Sequence, residues 1–127
     1  MITITFSSAN ATNIEDDNET SSASAAALQQ TIAPTTFNTM VVDFALNANG
    51  SSSFTPDVDQ IEPTGGDTAT GQLTMATSYK IRGAPGTFTH GTTCAATAAM
   101  AYKVIAIKDA NATSINSLGT LSLGVES

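Results

Sequence analysis

Between Gln72 and Arg82 the chain alternates strictly. Leu73, Met75, Thr77, Tyr79 and Ile81 fall on one side, and Thr74, Ala76, Ser78, Lys80 and Arg82 on the other. A repeat of two is the geometry of a pleated strand, in which successive side chains point to opposite faces. The same alternation runs through Thr36–Ala48, where Met40, Val42, Phe44 and Leu46 share one face and Val41, Asp43 and Ala45 the other. It returns in Ala98–Lys108, with Met100, Tyr102, Val104 and Ala106 against Ala101, Lys103, Ile105 and Ile107. Apolar content on both faces of that last segment predicts a central strand. Asn47–Gly50 and Gly83–Gly86 carry turn chemistry, and Thr87–His90 reads as a short strand after the second turn.

The remaining segments are less regular. Ile2, Ile4 and Phe6 alternate with Thr3 and Thr5, which predicts a strand. Ser7–Ala26 holds an acidic cluster, Glu15, Asp16, Asp17 and Glu19, among Ser, Asn and Thr, and reads as a solvated loop. Ala23–Gln30 fits a short helix by propensity or a strand ending at Ile32 before Pro34; the strand is preferred. Ser51–Gly71 reads as a long loop that Phe54, Val58 and Ile61 tack to the core. Strands at short intervals without a long helix predict an all-β fold. A single β-sandwich is favoured over a barrel, for want of enough matched strands. The 127 residues make one domain. Residues 1–26 form an N-terminal strand and loop arm, 27–108 the sandwich core, and 109–127 a C-terminal tail or edge strand.

Charge narrows the partners. Lys80, Arg82, Lys103 and Lys108 are the only basic side chains besides one histidine, and the net charge is -7. Nucleic-acid phosphates require clustered Lys and Arg, and an anionic membrane repels an acidic chain. Neither is an expected partner. No apolar run reaches the roughly 20 residues that span a bilayer, and Met1–Phe6 lacks the basic start of a secretory leader. If the protein works outside a cell, it is expected to leave by another route, for instance by lysis as part of a particle. Cys94 and His90 are single, so an intrachain disulfide and the usual zinc frameworks are excluded. His90 reads as structural and Cys94 as a buried apolar side chain; no catalytic residue is assigned.

Asp57, Asp59, Glu62 and Asp67 are the metal candidates, since calcium is held by carboxylate and carbonyl oxygens. Their spacing is not that of an EF-hand, and no other cofactor is expected. The aliphatic ends are the interface candidates: Ile2, Ile4 and Phe6 at the start, and Leu118, Leu121, Leu123 and Val125 in the tail. Four uncovered aliphatics in a tail invite aggregation, so this chain or another subunit must cover them.

The order of motifs also carries a resemblance. Met40–Leu46 is followed by a Ser/Thr/Pro/Gly loop, then by Ser78–Ile81, a turn, Thr87–His90 and finally Ala98–Lys108. This resembles the small jelly-roll β-sandwich modules of virion structural proteins from tailed bacteriophages and related viruses, over roughly half of the chain. Those modules carry a Trp near the start of the last strand; this chain has none, and Met100 or Tyr102 takes that volume. The resemblance implies a non-enzymatic, repeated virion subunit: a head decoration, a tail component or a fibre domain. Its partners would be copies of itself and other virion proteins. The alternative is an adhesion module for a host-surface glycan or receptor, recognised through Ser51–Gly71 and Gly83–Gly86.

Overall fold

The computed structural model describes backbone and side chains of residues 14–50 and 52–109, and the backbone of residues 3–7, 9–13 and 122–126. The described residues are all-β. Their strands are β1 (Thr3–Ser7), β2 (Ala9–Ile32), β3 (Thr39–Asn47), β4 (Phe54–Pro56), β5 (Thr68–Ala69), β6 (Thr74–Arg82), β7 (Phe88–Asp109) and β8 (Ser122–Glu126). β1 and β8 form a two-stranded antiparallel sheet; the others form a six-stranded antiparallel sheet in the order β2-β7-β3-β6-β5, with β4 also paired to β7.

Two long strands organise the fold. β2 has 24 residues and β7 has 22, and they pair from Ala9↔Asp109 to Ile32↔Phe88. Register shifts at Ser22/Ala25 and Ala25/Ala27 interrupt the ladder. Bulges bend the bulged strand and raise its twist. Here they fall in a run of Ser and Ala opposite Cys94–Ala98, where small side chains let the ribbon turn a corner. The bulged stretch of β7 is held from the other side. Ala95 N donates to Ser53 O, Ala96 N to Ser52 Oγ, and Asn47 Nδ2 to Ala96 O.

Past the corner the ribbon faces itself. Asn18 Nδ2 donates to Thr31 O at 2.7 Å, Gln30 Nε2 to Glu19 O at 3.1 Å, and Ala33 N to Asp16 Oδ2 at 2.7 Å. One layer consists of the first half of β2, the second half of β7, β3 and β6. The other consists of the second half of β2, the first half of β7, and β4. The first long strand pairs with the last and β3 with β6 inside them. This nested pairing is jelly-roll-like, and the result is a sandwich made from one folded sheet. The core lies between the layers and joins Ile32, Phe54 and Cys94 from one to Val41, Ala45, Met100, Tyr102, Val104 and Ala106 from the other.

Several expectations change. The acidic stretch Glu15–Glu19 is strand, not a solvated loop, because each carboxylate has a structural partner. Glu15 accepts from Thr39 Oγ1, Asp16 from Ala33 N, and Asp17 and Glu19 pair with Lys103. The arm boundary at residue 26 therefore falls inside β2. Phe88–His90 and Ala98–Lys108 are parts of one continuous β7, and Thr87 precedes it. The long loop covers the edge of β6 through reciprocal Ile61–Tyr79 backbone bonds and Thr77 N to Gly66 O, which blunts an edge that would otherwise recruit strands. Phe54 anchors it at 4% exposure, whereas Val58 is 95% exposed and Ile61 48%, so neither reaches the core.

Candidate functional site

The strand period places Val41, Asp43 and Ala45 on the inner face of β3. Register sets Asp43 opposite Ser78 on β6 and Val104 on β7. Asp43 is thus a carboxylate in the sandwich interior, at 2% exposure. A buried charge is tolerated only when hydrogen bonds replace its water. Ser78 N and Ser78 Oγ donate to Oδ1 at 2.7 and 2.8 Å. Tyr102 OH and Gln60 Nε2 donate to Oδ2 at 2.8 and 2.6 Å. Burial dominates nonetheless and raises the carboxyl from 3.8 to about 6, with the Tyr102, Ser78 and Gln60 bonds pulling the other way. The same burial, with the Asp43 charge, holds the Tyr102 phenol far above its usual range.

Gln60 reaches this cluster from the loop after β4. Its Nε2 also lies 2.6 Å from Ser78 Oγ, and its Oε1 accepts from Gly91 N at 2.9 Å. The orientation of the carboxamide follows from its neighbours: the nitrogen faces acceptors and the oxygen faces an N–H. Gly91 is required at its position. A Cβ there would lie 2.3 Å from Gln29 Cγ and 2.6 Å from Asp57 Oδ2. A hydroxyl, a carboxylate, a carboxamide and a backbone N–H from four separate segments therefore converge in the core.

A second buried group, on β7, lies beside the last residue of β6. His90 is 0% exposed, and its Nε2 sits 2.9 Å from Arg82. Guanidinium is always a donor, so Nε2 accepts and the proton resides on Nδ1. Arg82 also pairs with Asp59 at 2.9 Å and lies 4.4 Å over the Phe88 ring. Burial, then the Arg82 charge, lowers His90 from 6.5 to about 4, opposed by Asp59. Cys94 is buried and meets Ser52 Oγ at 2.9 Å. His90 and Cys94 therefore have separate partners and form no base–nucleophile pair.

The calcium set does not assemble. Asp57 accepts from Gln29, Asp59 from Arg82, and Asp67 from Phe54 N. Only Glu62 and Asp67 approach each other; burial and then Asp67 raise the Glu62 carboxyl. Among the described residues no group of three or more His, Cys, Asp or Glu is placed to hold a metal ion. The loop spreads its carboxylates because Asp57, Asp59 and Asp67 are taken by β2, β6 and β4. Of the interface candidates, Ile4 aligns with Val125 and Phe6 with Leu123 across β1 and β8 of the same chain. Ile2, Leu118 and Leu121 lie outside the described residues.

On the outer face of the β2-β7-β3-β6 layer, register aligns Ile14, Ile107, Met40 and Ile81 in one row, and Ser21, Ala101, Leu46 and Met75 in another. Ile14 is 58% exposed, Leu46 40% and Ile81 41%. Beside Leu46 an open groove of about 470 Å³ is lined by Glu19, Phe44, Ala101 and Lys103 among others. No helix among the described residues is long and apolar enough to cross a membrane. No family model matches the chain, and neither a curated protein nor a solved structure does.

Proposed function

We propose that the chain is a structural subunit of a virus particle, a head-decoration, tail or fibre component that packs against copies of itself and other particle proteins. The observation that carries this reading is the outer sheet face, where Ile14, Leu46 and Ile81 stand exposed around Met40 and Val42, which are themselves buried. Aligned apolar side chains of this size on a surface mark a contact site. The motif order described above supplies the virion context.

Light scattering on the purified chain tests it. A discrete oligomer that Leu46→Asp dissociates, with the strand spectrum unchanged, supports the reading. A monomer at every concentration, for both chains, overturns self-assembly. The alternative is a module for a surface glycan or receptor, favoured by the groove beside Phe44 and Leu46. A monomer that binds an immobilised glycan, and loses binding with Lys103→Ala, selects that alternative.

A further inference from the structure

The buried cluster around Asp43 has the parts of an acyl-transfer site whose acyl donor is one of the chain's own side chains. We propose that Ser78 and Gln60 join in an intramolecular ester, formed by the chain itself with release of ammonia. This inference is independent of the assembly reading.

The geometry supplies each role. Gln60 Nε2 donates to Ser78 Oγ at 2.6 Å, which holds the hydroxyl oxygen beside the carboxamide whose carbonyl carbon it would attack. The same hydroxyl lies 2.8 Å from both Asp43 oxygens, either of which can take its one proton, so a general base touches the nucleophile. Gly91 N–H points at Gln60 Oε1 from 2.9 Å, the atom on which negative charge develops. Tyr102 OH, at 2.8 Å from Asp43 Oδ2, is a positioning residue that fixes the carboxylate. Asp43, Ser78 and Tyr102 are 2 to 3% exposed and Gln60 is half-buried, which restricts the access of water to the product.

The step balances without any outside reagent. Ser78 Oγ bonds to Cδ of Gln60, and the hydroxyl proton passes to Asp43. The tetrahedral oxyanion at Oε1 rests on Gly91 N–H. Its collapse breaks the bond from Cδ to Nε2, and the nitrogen takes the proton back from Asp43 to leave as ammonia. Asp43 is regenerated, and the loop between β4 and β5 is tied covalently to β6. Such a link resists extension and proteolysis, properties a chain exposed to mechanical load requires. The same contacts in a purely structural network leave the chain at its full mass.

Intact-mass spectrometry of the purified, incubated chain separates the two. The expected result is a chain lighter by one ammonia. Trypsin does not cut between Gln60 and Ser78, because Lys80 is the first basic residue in the sequence. Cleavage before Asp67 by an Asp-specific protease does, so peptides holding residues 60 and 78 must appear joined. Ser78→Ala and Asp43→Asn are expected at full mass. A wild-type chain at full mass after prolonged incubation, without joined peptides, overturns the proposal. So does loss of ammonia that persists in Ser78→Ala, which assigns it instead to ring closure at Asn49-Gly50. If a variant does not fold, peptide mapping of the wild-type chain decides alone.

Discussion

Substituting Gln for His90 should remove a pH dependence that burial imposes on the native state. His90 has no exposed surface, and its Nε2 is held against the Arg82 guanidinium. A second positive charge there lacks both water and a counterion, since Asp59 is already paired with Arg82. The imidazole therefore drops from 6.5 to about 4 on folding. That gap corresponds to about 3 kcal/mol. A histidine lowered by folding contributes stability that is fully present above its unfolded value. The contribution disappears as pH falls from 6.5 toward 4. His90→Gln keeps an acceptor for Arg82 and cannot titrate. Urea unfolding of both chains at pH 7 and pH 4 should show the wild type losing about 3 kcal/mol relative to the variant on acidification. Asp43 acts in the opposite direction. Raised from 3.8 to about 6, it favours the native state at low pH and loses that advantage as pH rises through this window. The wild-type profile should accordingly be nearly flat between pH 4 and 7, and the variant should become more stable when acidified. An imidazole resonance titrating near 6.5 in the folded protein would refute the reasoning, as would a difference between the chains that does not change with pH.

Tyr102→Phe deletes a buried donor to a charged acceptor while conserving shape, and should cost about 1.5–3 kcal/mol by urea unfolding at pH 7. The loss should shrink at pH 4, where the Asp43 carboxyl is protonated. Gly91→Ala places a methyl group inside contact distance of Gln29, Asp57 and the Leu28 carbonyl oxygen, so β2 must shift, at about 1–3 kcal/mol. Hydrogen exchange should show that loosening at Asp57 and Gly91, whose backbones are bonded to each other.

The strands that alternate cleanly were legible in the residues. Met40–Leu46, Gln72–Arg82 and Ala98–Lys108 reveal their faces because each buries one or both sides against apolar neighbours, and burial is what imposes the period of two. β2 was not legible beyond its last residues. It lies at the edge of the sheet, and its polar and acidic side chains bond to partners such as Thr39, Ala33 and Lys103 that local sequence does not reveal.

Sequence alone determined that the chain is all-β and deficient in positive charge. It also dictated that Asp43 shares a face with Val41 and Ala45. Only the tertiary structure decided that this face is the interior and that β2 and β7 turn a corner to close over it. The four candidate calcium ligands were close in the loop sequence, yet three-dimensional pairing drew Asp57 to Gln29, Asp59 to Arg82 and Asp67 to Phe54, leaving only Glu62 beside Asp67. Residues 43, 60, 78, 91 and 102 show the converse. They carry no shared spacing, and they meet because antiparallel pairing brings β3, β6 and β7 side by side while the loop returns Gln60 across them. Local periodicity encodes which way a side chain points; which distant side chain it meets is settled by sheet register, a property of the whole fold.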